Sequence, residues 1–264
     1  MNKDYRELFS GTAPYYTKYR PGYQQEVFEY LVSLFKLDGS GILLDLGCGT
    51  GQVTFPLSPY FAKVIGVDPD PEMLKEAERE ARQRGLNNII WNQSTAEDLE
   101  LSEKLRLTTM GISFHWMEQE AVLEKLYSLT LPGGGIAILG DTSPVWEEGG
   151  MPAWKIRRRE IIKKFLGEER KAGHGTYQKP KRTYGEVLKE SKFSDITEKQ
   201  FSYTLERSIE EIIGHLFSTS YANKRLLGER AVQFEKEMRE ELLAVEPSGI
   251  FIEEGSTDVI SARK

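Results

Sequence analysis

A chain of 264 residues, 39% hydrophobic and 29% charged, suits one large domain, or one α/β domain carrying a modest insertion. Its formal charge of −6 disfavours nucleic acid as the main partner, because affinity for a phosphate backbone rests on an excess of Lys and Arg. No apolar run approaches the roughly 18 residues of a membrane span, the opening residues lack a signal peptide's apolar core, and a single cysteine, Cys48, rules out an internal disulfide and makes the cytoplasm the expected location.

Tyr23 to Phe35 sets Val27, Tyr30, Leu31 and Leu34 at helical spacing, so the first predicted helix has one apolar face. Gly41-Ile42-Leu43-Leu44-Asp45-Leu46 is short, apolar and bounded by glycine, as a buried strand should be. Gln52 to Tyr60 reads as a helix that Pro56 and Pro59 both interrupt. Phe61 to Asp68 is a second strand, built on Val64, Ile65 and Val67. Asp70-Pro71 supplies an N-cap and a first-turn proline, and Gly85 a stop, which predicts a helix over Glu72 to Arg84. Asn88 to Trp91, Leu105 to Ile112 and Gly135 to Leu139 are three more strands, with a helix over Glu118 to Leu129 before the last. This alternation predicts a parallel sheet covered by helices on both faces.

Beyond Gly140 the pattern changes. Asp141 to Gly150 reads as a loop, Pro152 to Leu166 as a helix, and Lys171 to Arg182 as a polar connection. Ser208-x-x-Glu211 is a capping box opening a helix with Ile209, Ile212, Ile213 and Leu216 on its apolar face. Asn223 to Val245 is expected as one long charged helix. Lys199 to Leu205, Ile250 to Glu253 and Asp258 to Ala262 would complete the sheet, the last two as an antiparallel pair. The expected fold is α/β, a doubly wound, Rossmann-like, seven-stranded and mostly parallel sheet with an antiparallel edge hairpin and a helical lid. Within a single domain over residues 1–264, residues 1–40 form an N-terminal arm and first helix, and 41–140 the cofactor-binding core. Residues 141–195 and 206–246 supply the lid and acceptor side.

Leu43-Leu44-Asp45-Leu46-Gly47-Cys48-Gly49-Thr50-Gly51 stands where the first strand turns into a helix. Its three alternate glycines permit a tight turn and let a ligand lie against bare peptide groups. Asp68 ends the second strand, where a carboxylate can accept hydrogen bonds from both hydroxyls of a ribose. A dinucleotide fingerprint has the spacing G-x-G-x-x-G and must accept a pyrophosphate. Here the spacing is G-x-G-x-G, and Asp45 at the loop entrance would repel a pyrophosphate but attract a sulfonium with a free amino group. A positively charged cofactor without phosphates fits better, and S-adenosylmethionine is such a cofactor. A nicotinamide-dependent oxidoreductase is the competing reading.

The same residues carry a resemblance. The glycine loop resembles motif I of the class I S-adenosylmethionine-dependent methyltransferases, and Val64-Ile65-Gly66-Val67-Asp68-Pro69 with Met73-Leu74 resembles motif II and the helix after it. Ser94-Thr95-Ala96-Glu97-Asp98-Leu99 is similar to the segment that contacts the adenine. Ile112-Ser113-Phe114-His115-Trp116 and Pro14-Tyr15-Tyr16-Thr17-Lys18-Tyr19-Arg20-Pro21 resemble the post-strand-four motif and the N-terminal segment of the branch related to trans-aconitate methyltransferase. The resemblance implies cofactor contacts from Asp45, Gly47, Gly49, Gly51, Gln52, Asp68, Pro69, Met73, Ala96, Glu97 and Ser113. It also implies that the N-terminal segment folds over the cofactor, where Tyr15, Tyr16 and Tyr19 are either an aromatic flap over the sulfonium, with Arg20 facing the cofactor carboxylate, or surface packing of the arm. The implied reaction is methyl transfer to an O, N or C nucleophile of a small-molecule acceptor. Pro56, inside the helix after motif I, departs from the pattern.

Other residues have two readings each. His115 is a general base or acceptor-orienting group, or a packed histidine; Trp116 is a wall of the acceptor site, or a core-rim residue. Trp146, Trp154 and His174 fall in the inserted segment and are candidates for acceptor contacts. Lys155, Arg157, Arg158, Arg159, Lys163 and Lys164 cluster on one predicted helix, either as a solvated face or as a surface for an anionic acceptor or nucleic acid. Cys48 and His215 read as packing residues. No His or Cys stands at metal-ligand spacing from any of the three histidines, and no metal site is expected.

Overall fold

The computed structural model describes residues 9–141, 151–169, 171–172, 175–176 and 182–264. Trp146 and His174 lie outside them. In chain order the first elements are α1 (Ala13–Tyr19), α2 (Gln25–Phe35), β1 (Ile42–Leu46), α3 (Thr54–Leu57), β2 (Lys63–Asp68), α4 (Pro71–Gln83), β3 (Ile89–Gln93) and β4 (Leu105–Gly111). There follow α5 (Gln119–Leu129), β5 (Thr130–Asp141), α6 (Ala153–Leu166), the short strands β6 (Lys171–Ala172) and β7 (Gly175–Thr176), and α7 (Tyr184–Lys189). The last are β8 (Ser194–Ser208), α8 (Ile209–Phe217), α9 (Lys224–Leu227), α10 (Ala231–Val245) and β9 (Ile250–Arg263). The chain divides into two compact units, a sheet unit of Gly22–Thr142, Pro180–Ser202 and Ser256–Lys264, and a helical unit of Met1–Pro21, Ser143–Lys179 and Tyr203–Gly255.

Successive side chains of a strand point to opposite faces, and the central strands of the sheet unit use both. Leu43, Val64, Leu107, Ala137 and Leu139 pack with Val27, Leu31 and Phe35 of α2. Their neighbours Leu44, Leu46, Ile65, Val67, Ile136 and Ile138 pack with Val122, Leu123 and Leu126 of α5 and with Val187 and Leu188 of α7. A strand covered on both faces is buried along its length, as the middle residues of β1, β2 and β4 are, including the polar Asp45, Thr108 and Thr109.

The strand order is β3-β2-β1-β4-β5-β9-β8. β1 pairs in parallel with β2 and β4, β2 with β3, and β4 with β5. β9 joins β5 antiparallel, from Gly135↔Arg263 to Asp141↔Thr257. Side-chain contacts then tie β9 to β8: the Thr197 and Ser261 hydroxyls meet at 2.7 Å, and Gln200 donates to Asp258 at 2.9 Å. The doubly wound, mostly parallel seven-stranded sheet is therefore as expected.

Several expected boundaries need correction. Ile250–Glu253 and Asp258–Ala262 are parts of one strand, β9, so the antiparallel edge pair is β9 with β8. The helix expected over Asn223 to Val245 breaks at Gly228, whose φ of +56° leaves the helical region, giving α9, a 3-10 turn and α10. Gln52 to Tyr60 holds only the single turn of α3 and a 3-10 turn over Ser58–Tyr60, as its two prolines demand. Helix α7 was not expected, although Thr183-x-x-Glu186 forms the same capping box as Ser208-x-x-Glu211.

The helical unit has its own core, in which Trp154, Ile161, Ile162 and Phe165 of α6 pack with Ile212, Leu216, Phe217, Phe234, Met238 and Leu242. Phe165 and Phe234 meet edge to face at 5.3 Å. Among the described residues, no helix is long and apolar enough to cross a membrane.

Candidate functional site

In a parallel sheet the carboxyl ends of the strands open onto the loops, and that is where ligands of open α/β folds bind. The loop after β1 is folded back onto β2. The amides of Gly47 and Cys48 both donate to the carbonyl of Val67, at 2.8 and 3.0 Å, and that of Gly49 donates to Oδ2 of Asp68 at 2.9 Å. Gly47, Gly49 and Gly51 have φ of +67°, +53° and +96°, the left-handed region that side chains disfavour. At Gly47 a Cβ would also lie 2.4 Å from Cβ of Ser113, so the close approach of the loop after β4 excludes any larger residue.

Two carboxylates brace this loop in different ways. Asp68 is 9% exposed, and its two oxygens accept the amides of Gly49 and Asp70, both at 2.9 Å. Asp45 is 1% exposed and accepts the hydroxyls of Thr54 at 2.6 Å and Thr109 at 2.8 Å. Burial pushes both groups up to about 6, against the hydrogen bonds that hold the ionised forms. Asp45 thereby ties β1 to β4 and to the start of α3. Thr54 and Thr109 carry no motif, and only the fold reveals them as its partners. Cys48 is buried, and burial with the nearby Asp68 and Asp45 charges pushes its thiol well above the ordinary value, which suits packing and not nucleophilic chemistry.

The loop after β4 completes this end of the sheet. Ile112 has φ of +51°, an unusual conformation for a β-branched residue, and its amide donates to Leu139 at 2.9 Å. Ser113 donates to the carbonyl of Leu46 at 2.6 Å. The 3-10 turn Phe114–Trp116 follows, with Phe114 fully buried and the His115 and Trp116 rings 4.6 Å apart. Nδ1 of His115 lies 3.3 Å from the hydroxyl of Tyr184 on α7, a partner that sequence reasoning missed. Pro69 follows Asp68 directly, Met73 is buried in α4, and Gln52 donates to the Thr50 hydroxyl at 2.8 Å.

Ala96 and Glu97 are anchored from an unexpected direction. Nζ of Lys125 on α5 donates to the carbonyls of Ala96 at 3.2 Å, Leu99 at 3.1 Å and Glu97, while the Glu97 carboxylate accepts the amide of Glu118 at 2.8 Å. A lysine 26 to 29 positions away leaves no local pattern to read.

Tyr15, Tyr19, Arg20 and Trp154 belong to the helical unit. Tyr15 and Tyr19 stack with centroids 6.3 Å apart. Arg20 donates to Oγ of Ser218 at 2.9 Å and lies over the Tyr16 ring at 4.8 Å. Trp154 is buried against Phe251 and donates to the carbonyl of Ile252 at 3.3 Å. The basic cluster on α6 does not form one solvated face. Arg157 pairs with Glu160 and Glu241, Lys163 with Glu168 and Lys164 with Glu237, while Lys155 and Arg158 are buried.

Residues 43–134 match the family model of a methyltransferase domain. A Saccharomyces cerevisiae protein named a "probable S-adenosylmethionine-dependent methyltransferase", CRG1, is 32% identical over 126 residues, 47% of this chain and 43% of that protein. A Dictyostelium discoideum protein, also named as a methyltransferase, is 26% identical over 223 residues, 81% of this chain and 77% of that one. The matched segment thus spans less than half of the yeast relative. A solved structure from Anaeromyxobacter dehalogenans, named as a type II methyltransferase, superposes with a TM-score of 0.64 at 18% identity over 92% of this chain and 97% of that one, which shows a shared fold. The glycine spacing, the carboxylate ending β2 and the family match over residues 43–134 agree, and that segment is a methyltransferase domain similar to those of S-adenosylmethionine-dependent methyltransferases.

Proposed function

We propose that the protein transfers a methyl group from S-adenosylmethionine to an O, N or C nucleophile of a small-molecule acceptor. The observation that carries this reading is the glycine loop after β1, held open by the Val67 carbonyl and the Asp68 carboxylate at the carboxyl end of the sheet. The cofactor, when bound, supplies an electrophilic methyl group on a cationic sulfur. The loop lacks the spacing and the uncharged entrance that a pyrophosphate requires.

Each cofactor residue has a part in this proposal. Gly47, Gly49 and Gly51 offer bare backbone, and Gln52 lines the start of the following turn. Asp68, with Pro69 and Met73 beside it, takes the ribose hydroxyls on lone pairs left over from its two amide bonds. Asp45 contributes negative potential from beneath the loop, its oxygens being taken by Thr54 and Thr109. Ala96 and Glu97 flank the adenine. Ser113 fixes the approach of the loop after β4. His115 accepts the acceptor's proton, or orients the acceptor, and Trp116 walls the acceptor's place. In-line transfer needs little covalent help: proximity, alignment and exclusion of water supply most of the acceleration.

A small acceptor is supported by the resemblance of residues 112–116 and by the pairing of Arg157, Lys163 and Lys164 of α6 with glutamates, which diminishes the free basic face a nucleic acid would need. Calorimetric titration with S-adenosylmethionine, its demethylated product and NAD tests the cofactor, and release of that product across a metabolite panel tests the acceptor class. NAD binding more tightly than S-adenosylmethionine would end this reading.

A further inference from the structure

Helix α6 buries two of its cations. Lys155 is 5% and Arg158 3% exposed, and a third cation of the helical unit, Arg207, is 5% exposed. Among the described residues of that unit, Glu253 is the only buried carboxylate, and it is divided between two of the three. Its Oε2 accepts from Nη1 of Arg207 at 3.0 Å, and its Oε1 lies 3.6 Å from Nζ of Lys155. Arg207 spends its other terminal nitrogen on the carbonyls of Tyr19 and Glu211, at 3.2 and 3.0 Å, and Lys155 reaches the carbonyl of Glu254 at 3.4 Å.

Arg158 has none of this. Its guanidinium lies over the Trp154 ring at 5.0 Å, and Nε and Nη2 are buried without an acceptor among the described residues. A buried charge with unmet hydrogen bonds is among the costliest features a fold can carry. The two orphan donors are not scattered. Nε–H and Nη2–H point the same way along one edge of the guanidinium, the edge that takes two oxygens of a carboxylate or phosphate in parallel. The surroundings reinforce the demand for an anion: the His215 imidazole on α8 is pushed well below its ordinary value, first by burial and then by Arg20, Arg207 and Arg158. In a chain of net charge −6 such a local excess of cations is no accident of composition.

We infer that Arg158 is the recognition residue of an anion site in the helical unit, whose ligand is a small organic molecule bearing a carboxylate or phosphate bridged by Nε and Nη2. Trp154 is the platform that holds the guanidinium flat, and replacing Arg158 by Lys would keep the charge but lose the fork. The inference stands apart from the methyl-transfer proposal, since it concerns binding alone. Because both donors are closed to solvent, the anion enters through a local opening, and association is slower than for a preformed surface site.

The full chain is titrated with inorganic phosphate and with succinate at constant ionic strength, chloride being the control. The readouts are the Arg158 Nε–H resonance, the titration midpoint of His215 and the thermal midpoint. The expected result for at least one anion is a saturable shift of the Nε–H signal and a rise in both midpoints, the imidazole's because an anion offsets Arg20, Arg207 and Arg158 while Glu253 stays paired. A response to phosphate alone assigns phosphate-bearing ligands, and one to succinate alone assigns carboxylates. Arg158→Lys is expected to weaken binding about tenfold or more. Arg158→Met is expected to abolish it and to raise the thermal midpoint of the anion-free protein, by removing an unpaired charge. Should Arg158→Met not fold, the inference is overturned, because the guanidinium would then be a packing element. No saturable response to either anion, or an undiminished one in Arg158→Lys, overturns it as well.

Discussion

The amide of Gly49 donates to Asp68 across 2.9 Å, so the carboxylate that ends β2 holds open the loop that follows β1. Both partners of Asp68, the amides of Gly49 and Asp70, are donors. Asparagine at this position would have to turn its own NH2 toward one of them. Asp68→Asn is therefore expected to fare little better than Asp68→Ala, each weakening S-adenosylmethionine by about 1.5–3 kcal/mol, the range for hydrogen bonds to a charged group. Calorimetry on folded variants measures this; wild-type affinity in Asp68→Asn would mean that the carboxylate does not shape the loop.

Asp45 should respond in the opposite sense. Its partners, Thr54 and Thr109, are hydroxyls that can donate or accept, so Asn can satisfy both. The folded-state value near 6 stands above the ordinary 3.8, so the native protein holds the proton more tightly than the unfolded chain. Stability from this group accordingly falls as pH rises from about 4 to 6 and stays low above that. Asp45→Asn escapes the loss, and is expected to be more stable than wild type at pH 7 by up to about 3 kcal/mol, at 1.36 kcal/mol per unit. The gap should close near pH 4. Urea denaturation across that range gives the answer, and a gap independent of pH would show that Asp45 titrates normally.

His115 sits beside the Tyr184 hydroxyl at 3.3 Å, which offers a way to separate its two roles. If the acceptor is a hydroxyl and His115 its base, His115→Gln is expected to lower turnover on the order of a hundredfold with cofactor affinity nearly intact. Tyr184→Phe keeps the imidazole but removes a fixed partner, and a smaller loss, roughly threefold to tenfold, is expected with a shifted pH–rate profile. Wild-type turnover and acceptor affinity in His115→Gln would leave only packing for this residue.

Within the helical unit, a Cβ on Gly214 would lie 2.3 Å from the Tyr19 ring. Alanine gains about 1 kcal/mol in helix propensity over glycine, but forcing a ring out of its place costs about 1–3 kcal/mol. Gly214→Ala is expected to be destabilising on balance, and Tyr19→Leu should relieve it in the double variant. An additive double variant, measured by denaturation, would place the two residues out of contact. The same packing makes deletion of residues 1–22 a poor probe of the N-terminal arm, since it would strip α8 of its neighbour. Single changes at Arg20 or Ser218 are cleaner.

Much of the sheet unit is legible because its signals are local. Asp70 caps α4 by accepting the Glu72 amide, as the Asp-Pro pair implies, and the largely apolar segments of β1 and β2 coincide with strands buried on both faces. The glycine loop is legible for the same reason, each glycine answering to its own backbone angle. What escapes is settled by distant chain segments. Lys125 meets the carbonyls of residues 96–99, and Thr109 meets Asp45, only because the sheet brings them together. The inward turn of Arg158 lies between these cases. Trp154, Ile161, Ile162 and Phe165 mark a buried stripe at helical spacing, and Arg158 falls on that stripe despite its charge.

The late position of β9 has a consequence for synthesis. It covers the outer edge of β5, yet it begins at Ile250, 109 residues after β5 ends at Asp141. At about 5–20 residues per second a ribosome needs on the order of 5–20 s to supply it. For that interval the parallel strands can assemble, but β5 presents a row of unpaired amides and carbonyls with apolar Ile136 and Ile138 among them. The nascent chain is thus most prone to aggregate after its first half is complete, and slowing translation beyond Asp141 should lengthen the period in which a chaperone must shield that edge.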